Sequence, residues 1–213
     1  MSYEIEIAGR KIGSADTGCD AIKLQTYTAD TITMKSDRPE FFIGGGPWEG
    51  YALWDLYNEA HTPWDWHEAL FERARQRGVT MFSSPFDETA VDLLEGLGAP
   101  AYKIASFEMI DLPLIAYAAS KMKPLILSTG MANLAEIEAA VTTVRKYGNG
   151  QFVLLHCVSE YPANINDANV RVVPDLGAKF QCPSGLSDHT FGTAASVAAV
   201  SLGGCVIEKH FTL

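Results

Sequence analysis

Two histidines close two short apolar runs near the end of the chain. His189 follows Gly185-Leu186-Ser187-Asp188, and His210 follows Val206-Ile207-Glu208-Lys209. Between them lies an Ala-rich segment, Gly192 to Leu202, and then Gly203-Gly204. The pattern is strand, helix, strand, with an imidazole at the C-terminal end of each strand. Parallel α/β proteins build their sites at that end, and two imidazoles brought together there can share a divalent metal ion. For either histidine alone, a purely hydrogen-bonded role is the alternative. Polar groups end other apolar runs in the same way: Lys23 and Gln25, Ser83 and Ser84, Lys103 and Ser106, Ser128 and Thr129, then Ser187 and Glu208 beside the histidines. A lysine inside an apolar strand is costly unless it is paired or used. Two of them suggest an anion between them, with serine hydroxyls donating to phosphate or carboxylate oxygens and each lysine acting as a point charge. A Schiff-base role is the rival use of Lys103; the histidine pair weighs against it, because a bound metal does the same electrophilic work. The plain alternative is that serines merely end strands and Lys23 pairs with an acid.

The elements that would position these groups follow a regular rhythm. Residues 3–13 alternate around Ala8-Gly9-Arg10 and predict a small β-hairpin. An abrupt join over residues 14–18 leads into a buried strand ending at Thr26. The stretch from Ala29 to Gly50 is a long connection rich in Asp, Gly and Pro, of the kind that is usually functional. A helix is expected from Tyr51 to Ala60, and another opened by Thr62-Pro63 and ending at Gly78. Strands then end near Ser84, Ser106, Ser128, Cys157, His189 and His210; a helix capped by Asp87 follows the first of these, one over Leu112 to Ala119 the second, one opened by Asn133 with Glu136 the third, and the Ala-rich segment follows His189. The strands are continuous apolar runs, which suits a parallel sheet covered on both faces. This alternation predicts an α/β barrel or an open doubly wound sheet. Seven strands after the hairpin are one short of a (β/α)8 TIM barrel, and the shortfall lies where residues 13–18 leave no room for a strand and helix. The expected division is a hairpin over 1–13 and a barrel over 14–213.

Composition narrows the function. A net charge of −10 over 213 residues argues against nucleic acid as a partner, but leaves room for a phosphorylated substrate in a local cationic cluster. The four cysteines have no CxxC spacing, and Cys157 and Cys205 lie in apolar runs, so buried thiols in a reducing compartment are expected. No apolar run reaches membrane-spanning length and the N-terminus does not resemble a signal peptide, so a cytoplasmic protein without a membrane partner is expected.

Eight segments together resemble the sialic acid synthase family. They are Asp20-Ala21-Ile22-Lys23-Leu24-Gln25-Thr26, Phe82-Ser83-Ser84-Pro85-Phe86, Ala101-Tyr102-Lys103-Ile104-Ala105-Ser106, Leu127-Ser128-Thr129-Gly130-Met131, Leu155-His156-Cys157, Tyr161-Pro162, Gly185-Leu186-Ser187-Asp188-His189 and Ile207-Glu208-Lys209-His210-Phe211. The insert Tyr27-Thr28-Ala29-Asp30 with Gly46-Pro47-Trp48 and His61-Thr62-Pro63-Trp64-Asp65-Trp66-His67 is most similar to the pseudaminic acid synthase branch. The resemblance implies condensation of phosphoenolpyruvate with an N-acetylated amino-sugar aldehyde to a nine-carbon 2-keto acid, with release of phosphate. It implies a manganese or magnesium ion on His189 and His210. It implies that Lys23, Ser84, Lys103, Ser106, Ser128 and Ser187 hold phosphoenolpyruvate, that Gln25, Glu108 and Tyr161 face the sugar, and that Asp188 and Glu208 orient the histidines. Trp48 and Trp64 are candidate apolar walls for the acetamido and deoxy groups. Family members also carry a first strand with a Glu and an Asn-His pair. They end in a small antifreeze-like domain that lends an Arg across a homodimer. Neither part is expected in this chain. A metal-dependent sugar-phosphate aldolase, an N-acetylneuraminate or legionaminic acid synthase, and a truncated, non-catalytic ligand-binding barrel are the alternatives.

Overall fold

Leucine- and isoleucine-rich runs that end in polar residues become neighbouring strands of one sheet. The structure is a computed structural model that describes residues 4–7, 10–13, 18–45 and 48–211. The expected hairpin turn at Ala8-Gly9, the join at Ser14-Ala15-Asp16-Thr17 and Gly46-Pro47 of the insert lie outside the described residues. Strands β1 (Glu4–Ile7) and β2 (Arg10–Gly13) pair antiparallel, with Ile7 opposite Arg10. The principal sheet holds β3 (Ala21–Thr26), β4 (Thr80–Pro85), β5 (Tyr102–Ile104), β6 (Leu125–Ser128), β7 (Phe152–Cys157), β8 (Ser184–Asp188) and β9 (Val206–Lys209). These seven strands are parallel, lie in chain order, and curl into half a barrel.

Parallel neighbours require crossovers, and helices supply them. The long connection after β3 contains α1 (Ala29–Ile32), α2 (Leu53–Ala60) and α3 (Trp66–Arg77). Then come α4 (Glu88–Gly96), α5 (Leu112–Ser120), α6 (Leu134–Tyr147), α7 (Val172–Phe180) and α8 (Ala194–Ser201). Asp87 caps α4 by accepting from the backbone N–H groups of Thr89 and Ala90, and Asn133 with Glu136 forms a capping box on α6. The helices cover the outer face of the sheet, where Tyr102, Ile104, Leu125, Leu127 and Leu154 pack with Val91, Leu94, Ile115, Val141 and Val144 in one core. Each such buried side chain contributes about 1.5–3 kcal/mol.

Three local expectations change. The helix expected from Thr62-Pro63 begins at Trp66, because residues 63–67 first form a turn in which the N–H groups of Trp66 and His67 reach the carbonyls of Pro63 and Trp64. Helix α7 has no counterpart in the sequence pattern: Pro174 sits in its first turn and Gly177 in its middle, which weakens the helical signal. A Cβ at Gly177 would lie 2.9 Å from Ser184 Oγ, so a larger residue there would have to displace that hydroxyl. Cys157 is buried as expected but Cys205 is exposed, next to β9 at the edge of the sheet formed by the described residues; no disulfide joins the four cysteines. Among the described residues no helix is long and apolar enough to cross a membrane.

Candidate active site

Side chains alternate along a strand, so the register between strands decides which residues share a face. Gln25 is opposite Ser84, Ser83 opposite Tyr102, Lys103 opposite Ile126, and Ser128 opposite Leu155. Cys157 is opposite Ser187, and Ser187 opposite Glu208. Followed across the sheet, this register gathers Lys23, Gln25, Ser84, Lys103, Ser128, Cys157, Ser187 and Glu208 on the inner face. His189 and His210 continue the same alternation two residues beyond Ser187 and Glu208. Gly185 lies on this face too, where a Cβ would overlap the Val206 carbonyl and come within 2.9 Å of Leu155 Cδ2.

Glu208 is the electrostatic hub. Its Oε1 lies 3.5 Å from Lys23 Nζ and 3.5 Å from Lys103 Nζ, and accepts a hydrogen bond from Ser187 Oγ at 3.0 Å. Burial first, then the charge of Lys23, brings Lys103 down to about 8 against the pull of Glu208. Burial pushes Glu208 upward, but the two lysines outweigh it and hold the carboxyl below its usual range. Three buried polar atoms on this side have no partner among the described residues: Ser84 Oγ, Ser128 Oγ and Glu108 Oε2. Buried polar atoms are normally satisfied, so these three are groups that a bound water or a polar ligand would satisfy. Burial also pushes the Glu108 carboxyl up, against its own backbone N–H and the charge of Lys103. Ser106 Oγ accepts from the Gly130 N–H at 3.3 Å, and a Cβ at Gly130 would stand 2.7 Å from Ser159 Oγ and 2.8 Å from the Cys157 carbonyl.

The histidine rings lie side by side, with centroids 5.2 Å apart and planes inclined at 50°. His189 Nδ1 donates to the Val158 carbonyl at 2.8 Å, which leaves the Nε2 lone pair available, the arrangement a metal-ligating histidine needs. Tyr161 stacks against His189 at 4.2 Å and meets His210 edge-on at 5.5 Å. Among the described residues no cluster of three or more His, Cys, Asp or Glu side chains could hold a metal ion. A divalent ion here would take its nitrogen ligands from this pair and keep its other positions open to water or substrate.

Several expectations from the sequence need correction. Asp188 does not orient the histidines. It lies on the opposite face of β8, where it accepts from Thr190 N at 2.9 Å, Thr190 Oγ1 at 2.7 Å, Ser196 Oγ at 2.6 Å and Lys209 Nζ at 2.9 Å. Burial would raise its pKa, but these bonds outweigh burial and hold it at about 2. Glu208 shares the histidines' face, yet its hydrogen bond and ion pairs go to Ser187 and the lysines. Ser83 also faces outward: its Oγ meets Thr26 Oγ1 at 2.7 Å, and the same Thr26 oxygen meets Nε2 of fully buried His67 at 2.8 Å. Thr129 Oγ1 is occupied by the Leu155 carbonyl at 3.1 Å. Gln25 stands exposed on the inner face, and Tyr161 is 64% exposed beside the histidines. Trp64 Nε1 donates to the Tyr27 carbonyl at 3.2 Å, which ties the connection to β3, while Trp48 is exposed. Cys157, with Sγ 3.9 Å from His189 Nδ1, was missed; its alternation with Leu155 on β7 is the signal that would have found it.

Known proteins carry the same arrangement of sequence and fold. Residues 12–213 match the NeuB family. The chain is 46% identical over 198 residues to a pseudaminic acid synthase of Helicobacter pylori, covering 93% of this chain and 58% of that protein. It is 44% identical over 210 residues to a pseudaminic acid synthase of Campylobacter jejuni, covering 98% and 61%. An N,N'-diacetyllegionaminic acid synthase of Legionella pneumophila is 38% identical over 216 residues, covering 99% and 60%. The chain thus spans less than two thirds of the length of each of these relatives. In fold it superposes on N-acetylneuraminic acid synthetase from Leptospira borgpetersenii, solved with citrate, at a TM-score of 0.82 and 30% identity, covering all of this chain and 79% of that one. With the family matched across nearly its whole length, the chain belongs to the NeuB family.

Proposed function

We propose that this chain forms the phosphoenolpyruvate-binding (β/α) barrel of a pseudaminic acid synthase. The reaction is condensation of phosphoenolpyruvate with 2,4-diacetamido-2,4,6-trideoxy-altrose to a nine-carbon 2-keto sugar acid, with release of phosphate. The observation that carries this reading is the convergence of two lysines and two partnerless buried hydroxyls, Ser84 and Ser128, beside an imidazole pair on one face. The seven strands are then seven of a barrel's eight, with the eighth place between β9 and β3.

In this reading Lys23 and Lys103 supply charge, and Ser84, Ser106, Ser128 and Ser187 supply hydroxyls, to the phosphate and carboxylate of phosphoenolpyruvate. Gln25, Glu108 and Tyr161 face the acceptor sugar. Glu108, its carboxyl pushed up by burial, is a hydrogen-bonding group for a sugar oxygen. A manganese or magnesium ion held by His189 and His210 would supply Lewis-acid polarisation of the aldehyde. The Val158 carbonyl keeps His189 in the required tautomer. The methylene carbon of phosphoenolpyruvate bonds to the aldehyde carbon, water adds at C2, and the C2–O bond breaks to release phosphate.

Phosphate release on mixing the chain with phosphoenolpyruvate, a divalent ion and acetamido aldoses tests the reading. Release that depends on both substrates supports it. Binding of phosphoenolpyruvate without turnover would instead support a non-catalytic barrel, and cleavage of a sugar phosphate an aldolase.

A further inference from the structure

The place between the two lysines is held by the protein's own carboxylate. Glu208 Oε1 takes the two ammonium groups at 3.5 Å each and the Ser187 hydroxyl at 3.0 Å. Two ammonium groups and a hydroxyl are what a phosphate or carboxylate oxygen of a ligand would recruit there. The fit is incomplete, because both lysine distances exceed the range of a well-formed N–H···O bond, and the neighbouring hydroxyls of Ser84 and Ser128 have no partner at all. Glu208 is therefore held mainly by charge, with the Ser187 hydroxyl as its one close hydrogen-bond donor. It rises from β9, at the edge of the sheet formed by the described residues, and its long side chain can turn aside while the strand stays in place.

We propose that Glu208 is a displaceable internal anion: it occupies the lysine cradle when the site is empty and gives way to a phosphate-bearing ligand. This rests on assigning the cradle to phosphoenolpyruvate. Unopposed, two lysines and several hydroxyls would hold any small dianion, including the phosphate that the reaction releases. A carboxylate that competes for the same donors weakens all such binding and favours phosphate departure, while phosphoenolpyruvate offsets the competition through its second anionic group.

The test is the Kd of inorganic phosphate, and separately of phosphoenolpyruvate, for the whole chain and for Glu208→Gln, which keeps the shape and an acceptor for Ser187 but removes the charge. The expected result is phosphate binding about tenfold tighter in Glu208→Gln, equivalent to about 1.4 kcal/mol, with Glu208→Asp close to the parent chain. If the parent binds phosphoenolpyruvate and Glu208→Gln holds phosphate no more tightly, the stand-in role is overturned and the proposed function survives. If neither protein binds either anion, both are overturned. A crystal of the parent chain with phosphate serves equally if the variant does not fold. Glu208 turned away and both lysines on the anion supports the proposal; Glu208 still between the lysines, with phosphate elsewhere, overturns it.

Discussion

Lys103 is the residue whose environment most constrains the chemistry. At 2% exposure it is held in a nearly dry strand, and burial brings it to about 8. As pH rises through that value the ammonium loses its charge and the cradle loses half of its positive charge. Affinity for phosphoenolpyruvate is expected to fall above about pH 8, by up to about tenfold per pH unit, which the pH dependence of KM would show. Lys103→Met, close in length and apolar, should fold and lose phosphoenolpyruvate binding by about ten- to a hundredfold, since one charge-assisted contact contributes about 1.5–3 kcal/mol and Glu208 would then neutralise Lys23 alone. At the imidazole pair, His210→Ala should abolish Mn2+ binding measured by titration calorimetry, and chelation of divalent ions should stop phosphate release until they are restored. An unchanged Mn2+ isotherm would remove His210 from the metal site.

At the scale of elements, the site depends on how strand ends are held from behind. His67 on α3 spans from the Pro63 carbonyl, at 3.1 Å from Nδ1, to Thr26 Oγ1, which also meets Ser83. This network pins the ends of β3 and β4, and hence Gln25 and Ser84, from the outer face. Burial holds His67 and His156 below the ordinary value of 6.5. Both remain neutral in the folded chain while the unfolded chain takes up protons, so stability is full above about pH 6.5 and declines as pH falls below it. His67→Leu should cost about 1–3 kcal/mol by leaving buried polar partners unmet, read as a lower Tm, with His67→Gln partly restoring it. Gly185→Ala tests the close approach of β8 and β9: its Cβ would overlap the Val206 carbonyl, and a loss of about 1–3 kcal/mol is expected. An unchanged Tm would show that the strands separate without cost.

The whole molecule is an acidic half-barrel, net charge −10, that concentrates two lysines on its inner face. Charge is gathered locally because a parallel sheet in chain order brings one residue from each of many distant segments to the same edge. The long connection after β3 is tied down by Trp54 Nε1 on Asp30 at 2.7 Å, by Trp64 on the Tyr27 carbonyl, and by Tyr27 packed edge-on against Tyr57 and Phe86. Under the proposed function, the parts held in this way would serve as a wall for the acceptor. A panel of acetamido aldoses is therefore expected to show preference for the 2,4-diacetamido-trideoxy sugar, measured as kcat/KM from phosphate release. Preference for N-acetylmannosamine would overturn that choice and leave the chemistry intact.

Much was legible from residues in order. Apolar runs of strand length separated by capped helices determined a parallel α/β sheet, because such strands must be covered on both faces. The residue types at the strand ends pointed to anion and metal chemistry at one edge. Adjacent residues, however, point to opposite faces, and only the curl of the sheet and the packing of helices decide which face is inside. Ser84 faces the site while Ser83 binds Thr26; His189 meets His210 while Asp188 binds Lys209. The partner of a charge is likewise a matter of distance between strands far apart in sequence. Lys23, Lys103 and Glu208 meet at 3.5 Å across the sheet, and no local pattern records that meeting, because tertiary packing alone brings the three together.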